Sequence, residues 1–111
     1  MNNFLILLVL TVAATLEAGG DALARTGLHS HAPLLRVGFF MAAAAVLFIY
    51  GVVVNLPPWD FGKLLGVYVV LFFLMAQLLN RVRFGQSPTV PIYAGGALIV
   101  TGGLVIAFWK G

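Results

Sequence analysis

Three charged residues follow one another at four-residue spacing near the end of the first apolar stretch of the chain. Residues 1–16 carry no charged side chain, and Glu17, Asp21 and Arg25 then follow. This spacing puts the three side chains on one face of an α-helix. An ionisable group within an apolar membrane-spanning segment is energetically costly and is a candidate functional group by default. Because low dielectric disfavours a charged carboxylate, such an acid is suited to exchanging a proton for a cation.

The three charges lie at different depths along this segment. For a helix that enters the hydrocarbon near Phe4, a rise of about 1.5 Å per residue puts Glu17 about 20 Å along it. Asp21 then lies about 25 Å and Arg25 about 31 Å along a core that is about 30 Å thick. Glu17 is therefore past the midplane, whereas Arg25 reaches the far interface. We take Glu17 as the candidate binding residue.

Asp21 has two interpretations. It is either a second binding carboxylate or one half of an i,i+4 pair with Arg25 on a solvated face. We predict that Asp21 lies beside the site and does not bind the ligand directly.

Small residues share the face of Glu17. Ala13 and Gly20 lie one turn away on either side, and small side chains permit the close approach of another helix or leave room for a ligand. We therefore take Ala13, Gly20 and Asp21 as candidate chamber-lining residues. The alternative is a neutral glutamic acid that is hydrogen-bonded inside a helix bundle.

The elements that must position these residues are four apolar stretches, at about residues 3–24, 33–54, 62–82 and 89–109. The chain is 62% hydrophobic and 8% charged, whereas a soluble domain carries about 25% charged residues. Each stretch of roughly 20 residues is long enough to span a bilayer. We predict an all-α membrane protein, a single domain over residues 1–111 with four transmembrane helices, whose short loops make neighbouring helices antiparallel.

Composition also narrows the functional classes. The chain has no cysteine and its basic residues are isolated, so we expect neither a disulfide framework nor nucleic-acid binding. Two histidines without a third ligand do not predict a metal site. We expect no enzyme activity, no metal and no cofactor, and we expect the lipid bilayer as a partner.

Several motifs resemble the small multidrug resistance transporters. Glu17, Gly20 and Arg25 resemble the first helix of that family, and "EAGG" is similar to its uncharacterised four-helix relatives. "RFGQSPTVP" resembles the third loop of the family. "GGALIVTGGLVI", with glycine pairs seven residues apart, resembles the fourth helix.

The resemblance implies an antiparallel homodimer in a bacterial inner membrane. Protons and small cationic substrates would compete for Glu17 of each subunit in a shared chamber, and Tyr68 would line this chamber or be an ordinary interior aromatic residue. The resemblance also implies dimer packing through Gly95 and Gly102, or in the alternative register through Gly96 and Gly103. The implied function is proton-coupled export of small cationic or amphipathic compounds.

The third stretch departs from the family pattern. The family usually carries a Gly-x-Gly kink in its third helix, whereas residues 67–75 contain no glycine. This departure favours the alternative function, a non-transporting scaffold or a heteromeric partner subunit. Lys63 either marks the membrane interface or places a positive charge near the chamber mouth.

The basic residues are distributed unequally between the two ends of the helices. The first and third loops are flanked by Arg25, Arg36, Arg81 and Arg83, and Lys63 and Lys110 lie at the opposite ends. This small bias favours termini outside the cytoplasm and is compatible with dual topology.

Overall fold

Four α-helices make up the computed structural model, which describes residues 1–109. They are α1 (Asn3–Leu28), α2 (Pro33–Val54), α3 (Phe61–Phe84) and α4 (Val90–Phe108). All four are long and apolar enough to cross a membrane. The described chain is therefore an all-α, multi-pass membrane protein. Lys110, which enters the charge comparison above, lies outside the described residues.

Local signals explain where the helices begin. The side chain of Asn2 accepts a hydrogen bond from the Leu5 amide at 2.7 Å, and that of Asp60 accepts one from the Lys63 amide at 2.9 Å. Both contacts satisfy amides that have no partner within the helix. α2 and α4 instead carry a proline in the first turn, where the missing amide proton costs little.

Two helices, α1 and α3, extend beyond the apolar stretches from which we predicted them. α1 continues beyond residue 24 to Leu28, and the Thr26 hydroxyl donates to the Ala22 carbonyl oxygen at 2.9 Å. α3 continues beyond residue 82 to Phe84 and ends at Gly85, whose φ of 66° is left-handed. Polar residues sustain the backbone hydrogen bonds as apolar residues do, so a change in hydropathy precedes the end of the helix.

The core lies between α1, α2 and α3. α1 packs against both α2 and α3, and α4 packs against α3. The buried core cluster takes four residues from α1, one from α2 and three from α3: Ile6, Leu10, Ala13, Ala14, Val54, Leu64, Val67 and Tyr68. α1 is thus the central helix, and the element that carries Glu17 is held on two sides.

Glycines determine how closely the helices approach. A Cβ atom added at Gly20 of α1 would lie 2.6 Å from Leu47 of α2, and one at Gly66 of α3 would lie 2.6 Å from Ile106 of α4. A side chain at either position would force Leu47 or Ile106 to move, because the helices are closely packed there. The absence of a side chain therefore brings α2 to the Glu17 face of α1 and α4 to α3.

The outer surface of the bundle is apolar. Leu34 of α2 is 85% exposed and Leu98 of α4 is 76% exposed, and both helices have most of their apolar side chains outside the core. Such a surface is suited to lipid or to another apolar helix.

Candidate functional site

Glu17 and Tyr68 meet between α1 and α3. The Tyr68 hydroxyl donates a hydrogen bond to Glu17 Oε1 at 2.7 Å. Tyr68 is buried, at 4% exposure, and Glu17 is half-buried. A carboxylic acid accepts such a bond in both its charged and its neutral form. The contact can therefore hold the carboxyl group in place through a cycle of protonation and deprotonation.

Tyr50 brings α2 to the same point. Its ring centroid lies 5.7 Å from that of Tyr68, and on the other side Phe72 stacks on Tyr68 with centroids 6.2 Å apart. Contacts at these separations are typical of favourable aromatic pairs. Three helices thus converge on Glu17 through one aromatic cluster, which we call the Tyr50–Tyr68–Phe72 cluster.

Tyr50 is a member of the site that the sequence analysis does not identify. A signal was present, because Tyr50 is the one residue between positions 37 and 54 whose side chain carries an oxygen or nitrogen atom. A lone hydroxyl in an otherwise apolar helix needs a polar environment, and the structure places Tyr50 beside the Glu17–Tyr68 pair.

The small neighbours of Glu17 serve helix packing. Ala13 is fully buried in the core cluster, and Gly20 packs against Leu47 of α2. Neither residue is in the lining of the cleft that opens beside them. Their small size brings α1 close to its neighbours, which places the carboxyl group of Glu17 within reach of Tyr68.

Asp21 faces an open cleft of about 350 Å³ between α1 and α3. Its side chain is exposed, and Phe72 and Ala76 form part of the opposite wall. Gln77 also lines the cleft, and its Oε1 atom is buried without a hydrogen-bond partner. Because Phe72 both lines this cleft and stacks on Tyr68, one aromatic ring connects the cleft to the Glu17–Tyr68 pair.

Arg25 lines the same cleft as Asp21. Its guanidinium lies over the ring of Phe84, 5.7 Å from the centroid, and across residues 1–109 the structure gives no ion pair between Arg25 and Asp21. The Asp21 carboxylate is therefore open to the cleft.

Lys63 lies in the first turn of α3. Its Nζ atom is 4.5 Å from the centroid of the Trp59 ring. This distance is that of a cation–π contact.

The two glycine registers of α4 face different surroundings. A Cβ at Gly96 would lie 2.7 Å from Phe73, and one at Gly103 would overlap Val70, so this pair packs against α3 of the same chain. Gly95 and Gly102 have no neighbouring atom within 4 Å of the Cβ position. Of the two registers, Gly95 and Gly102 are the pair open to a second chain.

Residues 1–109 contain no group of three or more His, Cys, Asp or Glu side chains that could hold a metal ion. The candidate site is thus a hydrogen-bonded acid beside an aromatic cluster and a cleft with a second acid.

Comparison of the chain with family models, with curated proteins and with solved structures finds no match.

Proposed function

We propose that this protein is a proton-coupled secondary transporter that exports small cationic or amphipathic compounds across a bacterial inner membrane. The observation that carries the proposal is the hydrogen bond from Tyr68 to Glu17, 2.7 Å long, between two helices that are long enough to span a membrane. A carboxyl group held in this way can bind either a proton or a cation, which is the least that proton–cation exchange requires.

The chemistry is a competition for one carboxyl group. The Glu17 carboxylate binds either a proton or the cationic group of the substrate, so arrival of one releases the other. Tyr68 keeps one carboxyl oxygen occupied and leaves the other oxygen for the ligand. Coupling then requires that the two forms expose the site to opposite sides of the membrane.

The cleft beside α1 supplies an approach to this pair. The Asp21 carboxylate attracts a cation, whereas Arg25, which also lines the cleft, opposes it. The Phe72 and Ala76 walls suit the apolar part of an amphipathic compound. Phe72 lines this cleft and stacks on Tyr68, and we infer that a movement of its ring gives the ligand access to Glu17.

We further propose that the protein is a homodimer whose two protomers are inserted in opposite orientations. Within each protomer, neighbouring helices run antiparallel. Support comes from α4, which leaves Gly95 and Gly102 open and exposes Leu98. A stripe of small residues permits close contact between helices in lipid. Glu17 is half-buried in one chain, and a second chain would complete the chamber around it.

A second candidate is a non-transporting scaffold or a heteromeric partner subunit. The observation in its favour is that α3 is one continuous helix from Phe61 to Phe84 without glycine in residues 67–75. Without a kink in this helix, the Tyr68–Glu17 hydrogen bond would serve to hold α1 and α3 together.

Proteoliposome uptake separates the two candidates. The purified protein is reconstituted, a pH gradient is imposed and accumulation of a panel of quaternary ammonium and guanidinium compounds is measured. Transport predicts accumulation that collapses when the gradient is dissipated. A scaffold predicts uptake equal to that of protein-free liposomes at every gradient, and this result would overturn the transport proposal.

A further inference from the structure

Two arginines share one aromatic ring at the end of the bundle where the first and third loops lie. The guanidinium carbon of Arg25 is 5.7 Å from the centroid of the Phe84 ring, and that of Arg83 is 5.5 Å from the same centroid. Both arginines line a pocket of about 430 Å³, which also includes His29, Ser30 and Phe39. We call this the arginine pocket.

Within residues 1–109, no carboxylate lines the arginine pocket, and Asp21, which shares the neighbouring cleft with Arg25, makes no ion pair with it. The chain has three acidic residues, Glu17, Asp21 and Asp60, and none of them lines this pocket. Two like charges at close range repel each other. The carboxyl ends of α1 and α3 carry partial negative charge, which favours arginines there, but it leaves most of the guanidinium N–H groups free to donate.

The free donors in the pocket suit an oxyanion. One guanidinium nitrogen of Arg83 donates to the Thr26 hydroxyl at 3.3 Å, and each guanidinium group has five N–H donors in all. Ser30 and His29 add further donor groups at the same place. Arginine binds phosphate through paired, charge-assisted hydrogen bonds, so a pocket lined by two arginines offers suitable donors for a phosphate group.

The position of the arginine pocket in the membrane favours a lipid headgroup as the source of the phosphate. Arg83 lies in the last turn of α3, and His29 directly follows α1, so the pocket lies at the ends of two membrane-spanning helices. Lipid headgroups occupy this depth. Phe39 and Phe84 wall the pocket, and Leu28 beside it is 57% exposed, which suits the first carbons of an acyl chain.

We propose that the arginine pocket binds the phosphodiester headgroup of an anionic phospholipid. Basic pockets between transmembrane helices are known sites for such headgroups. The bound headgroup bridges the end of α1, the first turns of α2 and the end of α3. This proposal does not depend on transport.

The test is phospholipid binding by the detergent-purified protein. Phosphatidylglycerol and phosphatidylcholine are titrated separately, and bound lipid is counted by native mass spectrometry. We expect a preference for phosphatidylglycerol that Arg25→Gln combined with Arg83→Gln weakens by about tenfold or more, because two charge-assisted contacts are lost. Arg36→Gln is the matched control, since Arg36 lies over Phe40 at 5.7 Å and does not line the pocket. It changes binding by less than about twofold.

A further variant and a competitor keep the proposal falsifiable. Arg25→Lys with Arg83→Lys retains both charges without the paired donors, and it replaces the Gln variant if that variant is unfolded by circular dichroism. It should bind phosphatidylglycerol more weakly than the wild type. Unchanged affinity in the variant used, or an equal loss in Arg36→Gln, overturns the proposal. Inorganic phosphate that displaces the lipid with equal affinity would also overturn it, because the site would then be one for a free anion.

Discussion

Tyr68 of α3 donates a hydrogen bond to Glu17 of α1 at 2.7 Å, across a separation of 51 positions in the sequence. This single contact ties the central helix to α3 and defines which oxygen of the acid remains free. Phe72 stacks on the same tyrosine and lines the neighbouring cleft. A ligand in that cleft would therefore contact a side chain that itself contacts Tyr68.

Glu17→Gln tests whether the acid couples transport. The amide oxygen of glutamine still accepts the Tyr68 hydrogen bond, but the side chain no longer exchanges a proton. We expect a folded protein whose gradient-driven accumulation falls to that of protein-free liposomes. Glu17→Asp, which keeps an ionisable group, serves as the control and should retain part of the activity. Accumulation by the Gln variant against a substrate gradient would remove Glu17 from the coupling step.

Tyr68→Phe tests the hydrogen bond while retaining the ring. We expect the free energy of unfolding in mixed micelles to fall by about 0.5–1.5 kcal/mol, the usual net contribution of such a bond. We also expect the pH at which substrate binding is half-maximal to move, because Tyr68 positions the carboxyl group. Tyr93→Phe is the control, since Tyr93 is 66% exposed. If the two variants behave alike in both measurements, Tyr68 has no role in positioning Glu17.

Asp21→Asn tests the acid of the cleft. Asp21 lines the cleft, so we expect weaker cation binding through lost charge attraction. We expect the pH midpoint of binding to shift by less than about one unit, because the Asp21 side chain is exposed and solvent screens its charge from Glu17. Asp60→Asn is the control because asparagine also caps a helix. A larger shift in the titration of the Asp21→Asn variant would show that Asp21 binds the ligand directly.

Paired leucine substitutions separate the two faces of α4. Gly95→Leu with Gly102→Leu should abolish a crosslinked dimer band and leave protomer stability unchanged, because no atom lies within 4 Å of either Cβ position. Gly96→Leu with Gly103→Leu should destabilise the protomer itself by at least about 1–3 kcal/mol, through overpacking against Phe73 and Val70. Thermal unfolding and crosslinking are measured on both. A dimer band that survives the first pair would place the interface elsewhere.

The sequence by itself determined the membrane class, the number of apolar helices and the start of each helix to within one residue. These are local properties. An apolar run of about 20 residues is by itself long enough to span a bilayer, and Pro33, Asp60 and Gly85 begin or end the helices next to them. The position of Glu17 along its helix was also accessible, because it depends only on counting residues along that helix.

The tertiary structure alone decided which side chains meet. α4 is apolar on every side, so its sequence contains no stripe that distinguishes Gly96 and Gly103 from Gly95 and Gly102. In lipid the helix surface and its surroundings are equally apolar, and shape complementarity, rather than hydrophobic patterning, selects the packed face. The resemblance named Tyr68 only as a candidate lining residue. Its hydrogen bond to Glu17, the position of Tyr50 beside it and the contact of Arg25 with Phe84 followed only from the packing of the helices.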